Sequence, residues 1–142
     1  MDEMQEMAAE HGALRAVISH WAALDAMNYA AVADGFAADG VWHRQGKELK
    51  GPGMVSAAMA ERPKGARTRH IVTNVLATVK GESEVAIDFY MTVFSHNGEA
   101  DAPPPAPMNV PNSVGLAHAT VRRDNGQWKI VQLRSAATFQ RK

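Results

Sequence analysis

The residue pattern predicts an α+β fold, with three N-terminal helices packed in a curved, mostly antiparallel sheet that leaves an internal pocket. Two observations carry this. Up to about residue 60 the apolar positions recur at helical spacing, and from Arg69 onward they recur at every second residue. Helices first and a strand meander afterwards is the α+β order. Four long strands curling around the first helix would leave a hollow between sheet and helices.

The first helix is expected from about Met4 to Ala26, a run of strong helix formers without proline and with one glycine, Gly12. Leu14, Val17, Ile18 and Trp21 form its apolar stripe, and Asp25, four residues after Trp21, falls within it. His20 is expected to point the other way. Asn28 is a plausible N-cap for a short second helix, with Tyr29, Val32, Ala33 and Phe36 on one face and Asp39-Gly40 at its end. Val41 to His43 reads as a short strand, turning at Gln45-Gly46 into a second run. Gly51-Pro52-Gly53 introduces a third helix with proline in its first turn and Pro63 as its stop. β-Branched residues then mark a strand from Arg69 to Lys80, with a turn at Lys80-Gly81-Glu82. Val85, Ile87, Phe89, Met91 and Val93 alternate along the next strand. Five prolines punctuate residues 97–112, a loop whose length is more often that of a lid or a disordered flap than of a connector. Val114 to Arg123 and Trp128 to Thr138 are the last strands, joined by the hairpin turn Asp124-Asn125-Gly126.

Composition narrows the function. At 142 residues the chain suits one domain, spanning residues 1–142, able to bury roughly two-thirds of its unfolded surface. Fifteen basic and fifteen acidic residues cancel, which argues against nucleic acid or a membrane surface as a charge-driven partner. No apolar run approaches the ~20 residues of a membrane span, and the acidic start of the chain is unlike a secretory leader. A cytoplasmic placement is the default expectation. With no cysteine there are no disulfides or thiolate metal sites. The six histidines show no close ligand spacing, so no metal is expected unless His43, His70 and His118 converge. Gly51-Pro52-Gly53 lacks the lysine of a phosphate loop.

The residues themselves point to one candidate pair. Asp25, a carboxylate on an apolar helix face, is costly to bury without a partner. His70 sits in a half-buried strand, and a histidine is the side chain type best suited to act as a general base near neutral pH. Together they would form an oriented imidazole; alternatively they are a self-satisfied buried polar pair, or Asp25 pairs with Arg67, Arg69 or Arg134. Asn74 shares strand parity with His70 and is expected on the same side. Tyr29, His43, Trp42 and Tyr90 complete the set of candidate substrate-lining residues.

Several pieces of the chain, taken in order, resemble the SnoaL-like branch of the nuclear-transport-factor-2-like, or cystatin-like cone, fold. They are Trp21-Ala-Ala-Leu-Asp25 with Asn28-Tyr29, Phe36 to Trp42, Lys50-Gly51, Arg69 to Asn74, and Asp124 to Ile130. The resemblance covers nearly the whole chain. Within it, Asp25 and His70 look like the acid/base pair of the scytalone dehydratase and dehydrochlorinase branch, in which the histidine takes a proton from carbon. Scytalone dehydratase has phenols that polarise the substrate carbonyl through a water; the first strand here offers Trp42 and His43 instead. The resemblance implies a cofactor-independent lyase or isomerase, dehydratase- or cyclase-like, acting on a small hydrophobic cyclic substrate, in a homodimer or homotrimer. The same fold also hosts non-catalytic modules such as oxygenase small subunits. In that reading Trp128 and Ile130 would sit on an exposed, dimer-forming sheet face.

Overall fold

A computed structural model describes residues Met1–Lys142. Three helices, α1 (Glu3–Asp25), α2 (Tyr29–Asp34) and α3 (Gly51–Ala60), accompany six strands. The strands are β1 (Phe36–Arg44), β2 (Lys47–Lys50), β3 (Ala66–Gly81), β4 (Glu84–Asn97), β5 (Ser113–Asp124) and β6 (Gln127–Gln140). They form a single sheet in the order β2-β1-β6-β5-β4-β3, with only β1 and β6 parallel. The expected α+β cone is present. The helix boundaries of the second and third elements differ, however: α2 ends at Asp34, five residues before Asp39, and α3 ends at Ala60. Phe36 therefore belongs to β1, which is longer than the expected Val41–His43 strand.

α1 starts on a reciprocal cap. The Asp2 carboxylate accepts from the Gln5 backbone N–H at 2.8 Å, and the Gln5 side chain accepts from the Asp2 N–H at 2.8 Å. The helix then crosses the concave side of the sheet on a stripe of Ala9, Ala13, Val17, Trp21 and Leu24, packed against Val85, Ile87 and Phe89 of β4 and Ala119 and Val121 of β5. Two alanines in that stripe let the helix come close to the strands. The stripe is rotated from the expected one: Ile18 is exposed, and His20, expected outside, is only 3 % exposed. The spacing explains it. His20 lies three residues after Val17 and four before Leu24, so a face centred on those two carries it inward.

Trp128 and Ile130 also differ from expectation. Ile130 is fully buried and Trp128 packs on the core, so neither forms an outer apolar surface. The β5–β6 hairpin turns them toward α1, while the exposed apolar residues of the outer face include Tyr90 and Leu116, neighbours across β4 and β5. At the contact between α1 and Trp128, Gly12 is required by space: a Cβ there would overlap the indole ring. Gly→Ala within a helix ordinarily gains about 1 kcal/mol. Overpacking against a fixed ring costs about 1–3 kcal/mol, so Gly12→Ala is expected to destabilise the protein in urea unfolding. A higher urea midpoint for the variant would show that Trp128 gives way freely.

Candidate functional site

Asp25 is the last residue of α1, where the chain reverses through Met27 in the left-handed region (φ 59°) and the Asn28 side chain caps α2. This brings the carboxylate to β3. That strand is at the sheet edge, so N–H groups pointing away from β4 have no strand partner. The Asp25 Oδ2 takes one of them, accepting the His70 backbone N–H at 2.8 Å. Its Oδ1 lies 2.6 Å from His70 Nδ1 and accepts the Thr68 hydroxyl at 2.8 Å. Thr68 and His70 are two residues apart on one strand, so both side chains reach the same oxygen.

Trp21, one helical turn before Asp25, lies over the imidazole at 4.6 Å between ring centroids and 25° between planes. The ring is thus held at its edge by a carboxylate and on its face by an indole. Both members of the pair are largely enclosed, with side chains 10 % and 12 % exposed for His70 and Asp25. Burial pushes the Asp25 carboxyl upward. The His70 ring, its backbone N–H and the Thr68 hydroxyl outweigh that effect and hold Asp25 below the usual carboxylate range. An ionised Asp25 accepting from Nδ1 fixes the proton there. Nε2 is left without a protein partner, and its ring lines a cavity of about 770 Å³.

That cavity lies between α3, β1, β2 and the inner sheet face. Trp21, Leu24, Trp42, Leu49 and Met91 supply apolar wall, while Ser95, Asn112 and Ser135 add small polar groups. Behind the imidazole sits His20, with its ring edge-on to Trp21, Phe36 and Trp42 at 4.5, 5.5 and 4.8 Å. Neither of its nitrogens has a hydrogen-bond partner. Burial, aided by the nearby His70 and opposed by Asp25, lowers its pKa to about 3. It is a neutral core residue.

The candidate residues separate into three groups. His70 and Asp25 meet, and Trp42 and His43 line the same cavity. Tyr29 stands behind the wall, where its hydroxyl accepts from Arg62 Nη1 at 2.9 Å. Asn74 and Tyr90 do not reach the cavity. Asn74 occupies a bulge where the β3–β4 register shifts, is exposed, and has φ 52°. The bulge breaks the parity counted from His70, and asparagine is there because it tolerates the left-handed conformation. Tyr90 projects from the outer sheet face, between the inward Phe89 and Met91.

His118 pairs with Asp88 at 2.8 Å, on β5 and β4 residues flanked by buried neighbours, so it too faces outward, away from His43 and His70. No three His, Asp or Glu side chains converge in ligand geometry. Of the proline-rich residues 97–112, Asn112 alone lines the main cavity. Pro104, Pro105 and Pro107 line a separate hollow with Asp25, Arg67 and Arg69, on the other flank of the pair. Thr68, Trp21, Arg44 and Arg62 are site residues beyond the expected set. Of these, Trp21 and Thr68 had a sequence signal in their spacing from Asp25 and His70.

The molecule is thus an α+β cone with a carboxylate and an imidazole paired beside an internal pocket. The chain belongs to the SnoaL-like domain family, whose sequence profile matches residues 5–134. Among curated proteins, no match was found. Solved structures with the same fold include a candidate scytalone dehydratase from Novosphingobium aromaticivorans DSM 12444, with TM-score 0.79 and 14 % identity over 99 % of this chain and 91 % of that one. A nuclear-transport-factor-2-like protein with a cystatin-like fold from Novosphingobium aromaticivorans has TM-score 0.76 and 15 % identity, over 95 % and 85 % of the two chains. ActVI-ORFA from Streptomyces coelicolor has TM-score 0.71 and 14 % identity, over 91 % and 96 %. At these identities the likeness is one of fold.

Proposed function

We propose that the cavity is a cofactor-independent acid/base site of lyase or isomerase type, in which His70 removes a proton from carbon of a small, cyclic, largely apolar substrate. The single observation behind this is the 2.6 Å contact between Asp25 Oδ1 and His70 Nδ1, on a ring whose other nitrogen is free beside a cavity. With Nδ1 protonated, the Nε2 lone pair is the base. When it takes the proton, the imidazolium that forms lies against an ionised carboxylate, which stabilises it at the moment charge develops. Trp21 stacking holds the ring in one plane, so little reorientation is needed. The apolar wall supplies binding, and His43 stands in the same cavity as a candidate proton donor to a leaving group. The fold likeness to a candidate scytalone dehydratase supports this reading without deciding between dehydration, isomerisation and cyclisation.

Proton abstraction can be read before the full reaction is known. A panel of cyclic ketones and hydroxyketones incubated in D₂O should acquire deuterium at the acidic carbon with the wild-type protein. His70→Gln, which keeps the size and polarity of the side chain but lacks the base, should slow that exchange by about 10²–10⁴-fold. Equal exchange in the two proteins would remove His70 from the chemistry.

A further inference from the structure

The cavity has a second charged feature that the imidazole–carboxylate pair does not use. Arg44 ends β1 and Arg62 follows α3, and both line the cavity. Neither makes an ion pair with any carboxylate. Arg62 is anchored by the Tyr29 hydroxyl at 2.9 Å and lies over the Tyr29 ring at 5.5 Å. Arg44 lies over the Trp42 ring, also at 5.5 Å. Aromatic contacts position the two guanidiniums while leaving their charge unneutralised.

The surroundings make the excess larger. In the β1–β2 hairpin Arg44 is paired directly with Lys47, and directly opposed side chains of an antiparallel pair share one sheet face. Lys47 also lines the cavity. Like charges placed opposite one another destabilise a hairpin. Arg44 is further depressed below its ordinary pKa by burial and by the positive field of Arg62. Glu61 is the one carboxylate on this wall, and it pairs with none of the three. A fold that keeps three cations together on a cavity wall, against one unpaired acid, is arranged to receive an anion.

We propose that the substrate of this cavity carries a carboxylate, bound by Arg44 and Arg62, with its ring against the apolar part of the cavity wall and its reacting carbon presented to His70. Planar guanidiniums suit a carboxylate better than a neutral carbonyl, because two parallel charge-assisted N–H···O bonds can form. This names the substrate class for the acid/base reading and depends on that reading for the chemistry, although anion binding can be measured without it.

The test is calorimetric titration at low salt with cyclohexanecarboxylate and 2-naphthoate, each against its methyl ester. Wild-type protein is expected to bind at least one acid about tenfold or more tightly than its ester. Arg44→Met and Arg62→Met should each remove most of that preference while leaving ester affinity within about twofold. The Gln variants at the same positions serve if a Met variant fails to fold. His70→Gln should keep the preference, because the charge it answers to lies elsewhere in the cavity. The proposal is overturned if no acid binds, if ester and acid bind alike, or if the preference survives in both arginine variants. The two readings fail separately. Acid preference without deuterium exchange would leave the anion site and remove the base; exchange on neutral ketones without acid preference would do the reverse.

Discussion

Asp25→Asn should lower turnover by about 10²–10⁴-fold while leaving the fold in place. The reason is tautomeric. An asparagine here can still accept the His70 backbone N–H through its amide oxygen, so the contact between α1 and the β3 edge survives. Its NH₂ group would then face His70 Nδ1, where Asp25 Oδ1 now lies at 2.6 Å. A donor at that point favours the ring with its proton on Nε2, the nitrogen that must be unprotonated to act as base. The same change removes the negative charge that would stabilise the imidazolium of the proposed reaction. Nitrogen NMR of the His70 ring separates this from a packing effect: the wild type should carry its proton on Nδ1, and Asp25→Asn on Nε2. Turnover within about threefold of wild type would end the orienting role of Asp25.

Acid should unfold the protein early, and His20 should be the main cause. Its pKa is near 3 in the fold against about 6.5 in an unfolded chain, so the unfolded state binds the extra proton first. Stability is therefore unaffected by this group above about pH 6.5 and falls as pH drops from there toward 3. At about 1.4 kcal/mol per unit, the whole interval amounts to at most roughly 5 kcal/mol, a large share of an ordinary domain's stability. Asp25, held below the usual carboxylate range, acts in the same direction but only at the acid end. Urea unfolding between pH 7 and pH 4 should show this loss in the wild type. His20→Leu should flatten it, since a neutral side chain fills the space among Trp21, Phe36 and Trp42 with nothing to protonate. Parallel pH curves for the two proteins would assign the acid sensitivity to other groups.

His20 also shows where periodicity misled. The stripe counted from Leu14, Val17, Ile18 and Trp21 is centred one residue away from the face that packs, because Ala9 and Ala13 are small and contribute little to an apolar count. Close approach to the strands makes those alanines the centre of the interface. Asn74 lies away from the cavity for a different reason. Strand parity holds only while the ladder is regular, and the bulge beside it reverses the faces. Trp128 and Ile130 face α1 and not the outside, a choice that alternation leaves open because it identifies two faces without saying which one meets the helix.

The sequence by itself determined the order of elements, the α+β class, the end of the first helix to within a residue and the candidacy of Asp25 and His70, since these rest on local periodicity and the cost of an apolar-face carboxylate. The tertiary structure decided that an edge-strand N–H and a threonine share Asp25 with the imidazole, that Trp21 stacks upon it, and that Arg44 and Arg62 line the same cavity. Those facts depend on which strand lies at the rim and on how a hairpin and a helix end converge across dozens of residues. Local pattern carries no record of that distance, and packing alone sets it.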